Sequence, residues 1–137
     1  MIQNSPILRL TLLSGEYAVC RLDPEAESPE WAARRTVSFA SITRTPDELS
    51  ILCPAEWVPE DLPAERGWRG IKVLDAMDFS VTGVAAALSN PLADAGIPLL
   101  LVATFDTDYL FVGGDRLAAA CTALTAAGHR MISVENA

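Results

Sequence analysis

At 137 residues, half of them hydrophobic, the chain is long enough for one ordinary domain or for two small units sharing a core, with no need of disulfides or metals. Ten Lys and Arg against 18 Asp and Glu leave a net charge of −8, which repels phosphate backbones and anionic bilayers, so neither nucleic acid nor a membrane is expected as a partner. No apolar run approaches the ~20 residues of a membrane span, and Met1–Ser5 begins no basic segment backed by an apolar core, so no signal peptide and a cytoplasmic location are expected.

Ile7–Leu13 alternates, with Leu8, Leu10 and Leu12 on one face and Arg9 and Thr11 on the other, as a half-buried strand does. Ser14-Gly15 signals a turn, and Tyr17–Leu22 reads as the returning strand. Asp23–Pro29 is an acidic loop. Ser28 and Pro29 then fit the N-cap and first position of a short helix carrying Glu30 and Trp31. Thr36–Thr43 alternates again, Thr45-Pro46-Asp47 punctuates, and Glu48–Cys53 is a further strand. Pro54, Pro59 and Pro63 break up the next segment, leaving room near Trp57 for at most one short helix.

Past Gly67 the texture changes. Trp68–Met77 is a strand centred on Ile71, Val73 and Leu74. Val81, Val84, Ala85, Leu88 and Leu92 recur at helical spacing, with Ser80 or Thr82 able to cap the start, Asn90-Pro91 to kink or restart the helix, and Gly96 to end it. Ile97–Phe105 and Tyr109–Val112 flank Asp106-Thr107-Asp108 as a hairpin, and near-continuous apolarity in its first arm predicts a strand covered on both faces, in the middle of the sheet. Gly113-Gly114-Asp115 leads into a helix with Leu117, Ala120, Cys121 and Leu124 on one face; Gly128 stops it and Arg130–Val134 is the last strand. The second half is therefore β-α-β-β-α-β, the ferredoxin-like arrangement. The first half is strand-rich with a degenerate version of the same rhythm. The expectation is an α+β chain of two related units, residues 1–66 and 67–137, packed as one compact body.

Cys20, Cys53 and Cys121 are odd in number, far apart and set in apolar runs, so they read as buried thiols rather than a disulfide framework or zinc site. The one histidine, His129, has no Cys or second His beside it. No phosphate loop or nucleophile elbow is present. No catalytic residue, metal or cofactor is expected.

Two places could hold a ligand. Ser80, Thr82 and Gly83 stand at a helix start, where unpaired N–H groups and the dipole suit a carboxylate; the plainer alternative is a capped helix with a glycine for close packing. Asp106-Thr107-Asp108 could offer a carboxylate to an ammonium or guanidinium; the alternative is an ordinary turn. Trp31, Trp57 and Trp68 read as packing residues, with a pocket wall as the alternative.

Three segments carry a resemblance. They are R-T-P-D-E-L-S-I-L-C-P from Arg44 to Pro54, D-F-S-V-T-G-V-A-A-A-L-S-N-P-L-A-D-A-G-I-P from Asp78 to Pro98, and A-T-F-D-T-D-Y-L-F-V from Ala103 to Val112. Together they resemble bacterial tandem ACT-domain proteins related to the CASTOR-type amino-acid sensors. The resemblance implies two ACT units, a non-enzymatic regulatory role and an amino acid or other small molecule as ligand. It implies ligand contacts at Ser80, Thr82 and Gly83 and, matching the arginine-sensing relatives, at Thr104, Phe105 and Asp108. It also implies a homodimer and a protein partner of unknown identity. Where the family commonly has Ser-Thr-Tyr this chain has Ala103-Thr104-Phe105, two hydroxyls fewer. That departure supports the rival expectation of a structural or interaction module with a decayed pocket.

Overall fold

The computed structural model describes residues 5–35, 38–76 and 80–133. It divides into two compact units, Ser14–Trp68 and a second that joins Met1–Leu13 to Arg69–Ala137. The first thirteen residues therefore belong with the later unit rather than with a 1–66 unit. The cause is β1 (Arg9–Leu12), which hydrogen-bonds antiparallel to β5 (Glu65–Val73) and parallel to β8 (Arg130–Met131).

In the Ser14–Trp68 unit, β4 (Leu49–Pro54) runs antiparallel between β2 (Tyr17–Leu22) and β3 (Ser41–Arg44), and the first residues of β5 pair with the free side of β2. Ala18, Cys20, Ile51 and Cys53 form a core with Ala32, Trp57 and Val58. Burial and the neighbouring Cys20 thiol push the Cys53 thiol up to about 11, so it is an inert core group. Among the described residues of this unit, helical structure is reduced to two 3-10 turns, Glu30–Ala32 and Ala55–Trp57. Pro29 rather than Ser28 stands at the N-cap of the first turn, with no side-chain cap. In the segment expected as a strand from Thr36, ladder pairing begins only at Ser41; Thr36 and Val37 lie outside the described residues. The β3–β4 turn is held by Thr45, whose Oγ1 accepts from the N–H groups of Asp47 (3.1 Å) and Glu48 (3.2 Å).

The second unit has the ferredoxin-like α+β fold. The run is β5, α1 (Val84–Asp94), β6 (Leu100–Ala103), β7 (Asp108–Gly113), α2 (Leu117–Ala126) and β8. β7 pairs with both β5 and β6. β1, from outside the run, lies between its first and last strands. Both helices share one core with one sheet face: Val84, Leu88 and Leu92 of α1 and Ala120 and Leu124 of α2 meet Leu8, Leu10, Ile71, Val73, Leu110 and Val112. On the opposite face Thr11, Leu13 and Phe111 are also buried, whereas Leu12, expected inside, is partly exposed. Gly70 belongs to that opposite face: an added Cβ would sit 2.7 Å from Phe111 and 2.8 Å from Leu13.

Two expectations for this unit need correction. β6 is not central. It pairs only with β7 among the described residues, with Leu101 and Ala103 exposed. The apolar run before it serves other ends: Ile97 closes the core beneath α1, where its N–H caps Leu92 O at 2.9 Å. β7 is the strand covered on both faces, with Leu110, Phe111 and Val112 all buried. Second, α1 neither restarts at Pro91 nor is capped by Ser80 or Thr82. Its N-cap is Gly83, left-handed at φ 83°, and it runs through Pro91 to Asp94.

Pro91 lacks the N–H that would bond the carbonyl of Ala87. His129, fully buried, supplies the missing donor: its Nε2 lies 2.8 Å from Ala87 O, while its Nδ1 accepts the Leu8 N–H at 3.1 Å. With Nδ1 accepting from Leu8, Nε2 is the nitrogen left to donate, and the ring joins α1, the segment leading into β1 and the α2–β8 connection. Met77 and Val134, the expected ends of two strands, lie outside the described residues.

Candidate small-molecule site

The sequence places its candidate residues on two segments, and the second unit brings both to the end of the sheet where β5 runs out. There Asp75 follows β5 and is bound twice by Arg9, from backbone N to Oδ2 at 3.0 Å and from Nε to Oδ1 at 2.9 Å. Those bonds, the backbone one first, hold its carboxyl below the usual range. Asp75 is thus engaged within the fold.

The hairpin turn is anchored to the same point. Thr107 is buried and its hydroxyl faces the carbonyls of Val73 (2.9 Å) and Asp75 (3.0 Å). Thr104 closes the turn: its N–H donates to Thr107 O at 2.8 Å, its Oγ1 donates to the same oxygen at 2.9 Å and accepts from Thr107 N at 3.3 Å. The Thr104 side chain therefore makes turn contacts. Phe105 projects outward, 79% exposed. Asp108 opens β7 opposite Ala103 and is half-buried. Burial alone pushes its carboxyl up, since no charge or donor among the described residues offsets it.

The helix start lies by the same end through Pro6, three residues before Arg9: an added Cβ at Gly83 would stand 3.6 Å from Pro6 Cδ. The glycine is required by its backbone conformation, not by a close approach. Ser80 and Thr82 are exposed. Of the six candidates, Thr104 and Asp108 share one hairpin stem, Phe105 points away from it, and Ser80, Thr82 and Gly83 form a separate rim. The arrangement offers helix-start N–H groups for an anion and the Asp108 carboxylate, which no charge among the described residues neutralises, for a cation.

Two clefts lie elsewhere, and none of the six candidates lines either. One, of about 510 Å³, is lined mainly by alanines of α1 and α2 with Ile7, Asn90, Asp94 and His129. The other, of about 700 Å³, lies within the Ser14–Trp68 unit and is lined by Glu16, Tyr17, Arg35, Glu56 and Trp57 among others. Of these the sequence singles out only Trp57 as a wall residue. The charged ones sit in turns, where polar residues carry no distinguishing pattern. Among the described residues no cluster of metal-ligating side chains occurs, and no helix is long and apolar enough to cross a membrane.

A family model for the ACT domain matches residues 64–126, and a model for an N-terminal domain matches residues 15–61. No curated protein matches the chain. A crystal structure of an Agobacterium tumefaciens protein is 35% identical, covers 96% of each chain and superposes with a TM-score of 0.88. A Vibrio cholerae protein of unknown function is 21% identical over 88% of this chain and 89% of its own, TM-score 0.70. The ligand-free regulatory subunit of aspartate kinase from Thermus thermophilus is 12% identical over 87% and 96%, TM-score 0.58. The last two are likenesses of fold. By its identity along nearly its whole length with the first, the chain belongs to the same family as the Agobacterium tumefaciens protein, and it carries an ACT domain over residues 64–126.

Proposed function

We propose that this chain is a non-enzymatic, cytoplasmic sensor that binds an amino acid and passes the signal to a protein partner, as a homodimer related to the CASTOR-type sensors. The Ser14–Trp68 unit, whose described residues hold only 3-10 turns as helical structure, is read as a degenerate ACT-like repeat. The observation that carries the reading is the ACT domain, with a glycine-started helix and, at one end of its sheet, an Asp108 carboxylate that no charge among the described residues neutralises. An amino acid presents one carboxylate and one ammonium, the two groups that such an end complements. Ser80, Thr82 and Gly83 would receive the carboxylate, Asp108 the ammonium, and Thr104 and Phe105 the body of the ligand. The fold likeness to an aspartate kinase regulatory subunit fits a regulatory role.

One observation favours a second reading, a structural or interaction module with a decayed pocket. The Thr104 hydroxyl makes turn contacts within its own hairpin. Titration calorimetry with the twenty free amino acids separates the two. The sensor requires saturable binding of at least one, weakened by Asp108→Asn; the module requires none.

A further inference from the structure

We propose that the cleft of the Ser14–Trp68 unit is a binding site for a small zwitterion, whose carboxylate meets Arg35 and whose ammonium meets Glu16 and Glu56. The inference rests on the reading of the chain as an amino-acid binder and adds a second seat, in the other unit. At about 700 Å³ the cleft is of ordinary ligand-site size. Its lining carries both signs of charge, and the buried Tyr17 and Trp57 show little surface to it. The charged rim suits the two ends of an amino acid.

The side of the cleft that bears Glu16, Glu56 and Trp57 is braced before any ligand arrives. The Ala55 N–H donates to Glu16 O at 2.9 Å, tying the segment that bears Glu16 to the one that bears Glu56. Arg66 binds the carbonyls of Ala55 (3.1 Å), Val58 (3.3 Å) and Pro59 (3.3 Å), so the 3-10 turn presenting Trp57 is clamped from behind. The Arg34 guanidinium lies 5.6 Å from the Trp57 ring centroid. Tyr17 packs edge-on against Phe39. A braced side lowers the ordering cost of binding. Glu16 and Glu56 share the cleft with Arg35, and Arg34 lies over Trp57, so L-lysine, L-leucine and L-glutamate serve as probes that vary the charge of the ligand.

The test titrates the full chain with those three amino acids and with lysinamide, which lacks the carboxylate. Calorimetry gives affinity, and the Trp57 indole N–H resonance reports the cleft. Expected are a saturating shift of that resonance with L-lysine and a loss of affinity of about tenfold or more in Arg35→Gln. Lysinamide should bind that variant as it binds the wild type, and Glu16→Gln with Glu56→Gln should weaken both probes. All three side chains are exposed, so unliganded melting should not move. The proposal is overturned if L-lysine binds and Arg35→Gln leaves its affinity unchanged, or if the Trp57 resonance stays still. Binding lost in Asp108→Asn but kept in Arg35→Gln would place the ligand on the hairpin. No binding of any of the twenty amino acids would refute both seats.

Discussion

Asp108 and Asp75 sit near the same end of one sheet, and their surroundings push them in opposite directions. Asp75 is held ionised by Arg9, so its contribution to stability is present above the unfolded carboxylate range and lost as pH falls through its lowered value. The pair is largely exposed, so Asp75→Asn should cost no more than about 1 kcal/mol in chemical denaturation at neutral pH. Asp108 is disfavoured as an anion by burial, so its charge opposes folding once pH rises above the unfolded value, and protonation relieves it. Asp108→Asn should therefore leave unliganded melting at neutral pH unchanged or slightly raised. An ammonium seated on that carboxylate would contribute on the order of 1.5–3 kcal/mol. Amino-acid affinity should then fall roughly tenfold to more than a hundredfold in the variant, and in the wild type should strengthen as pH rises through the carboxylate range. Asp106→Asn, in an exposed turn position, should fall much less. A large loss of unliganded stability in Asp108→Asn would instead mark a hairpin-holding residue.

Among the elements, α1 depends on a donor forty residues away in sequence. His129 occupies the carbonyl that Pro91 leaves unpaired and also receives the Leu8 N–H. His129→Ala strands both groups, and each buried unsatisfied group costs about 1–3 kcal/mol, so denaturant melts should show a loss of roughly 2–6 kcal/mol. Pro91→Ala restores an N–H. It should gain little alone and more in the His129→Ala background, a positive coupling that a double-mutant cycle reads directly. Gly70→Ala drives a methyl into Phe111 and Leu13 and should cost about 1–3 kcal/mol by overpacking. The helices and most strands are legible from periodicity alone. What misleads is an apolar run at Ile97–Leu101 that is divided between a helix C-cap, the core and an edge strand. Continuous apolarity marks burial without saying which element provides it, so β6 and β7 exchange their expected roles. The role of His129 is equally hidden, because its partners are two backbone groups and no side-chain pattern announces them.

For the whole molecule, the ACT fold was within reach of the sequence because three motifs coincide in order with a β-α-β-β-α-β rhythm. The placement of β1 between β5 and β8 was not, since nothing in an isolated alternating strand names its neighbours. The candidate site was legible only as residue types: the helix start and hairpin were found, while the engagement of Thr104 within its own turn and the charged cleft depend on tertiary placement. β6 leaves an edge unpaired among the described residues, and an open edge invites a partner. Light scattering should accordingly give a dimer mass, and a monomer mass at high concentration would remove the homodimer. The central claim, that this ACT-domain chain binds an amino acid, is tested most directly by thermal melting against each of the twenty free amino acids. A ligand held only by the folded state adds RT ln(1 + [L]/Kd), about 2.7 kcal/mol at a hundredfold excess over Kd, which is several degrees for a chain of this size. The account predicts that at least one amino acid raises the melting temperature progressively with concentration; a chain whose melting is unmoved by all twenty would contradict it.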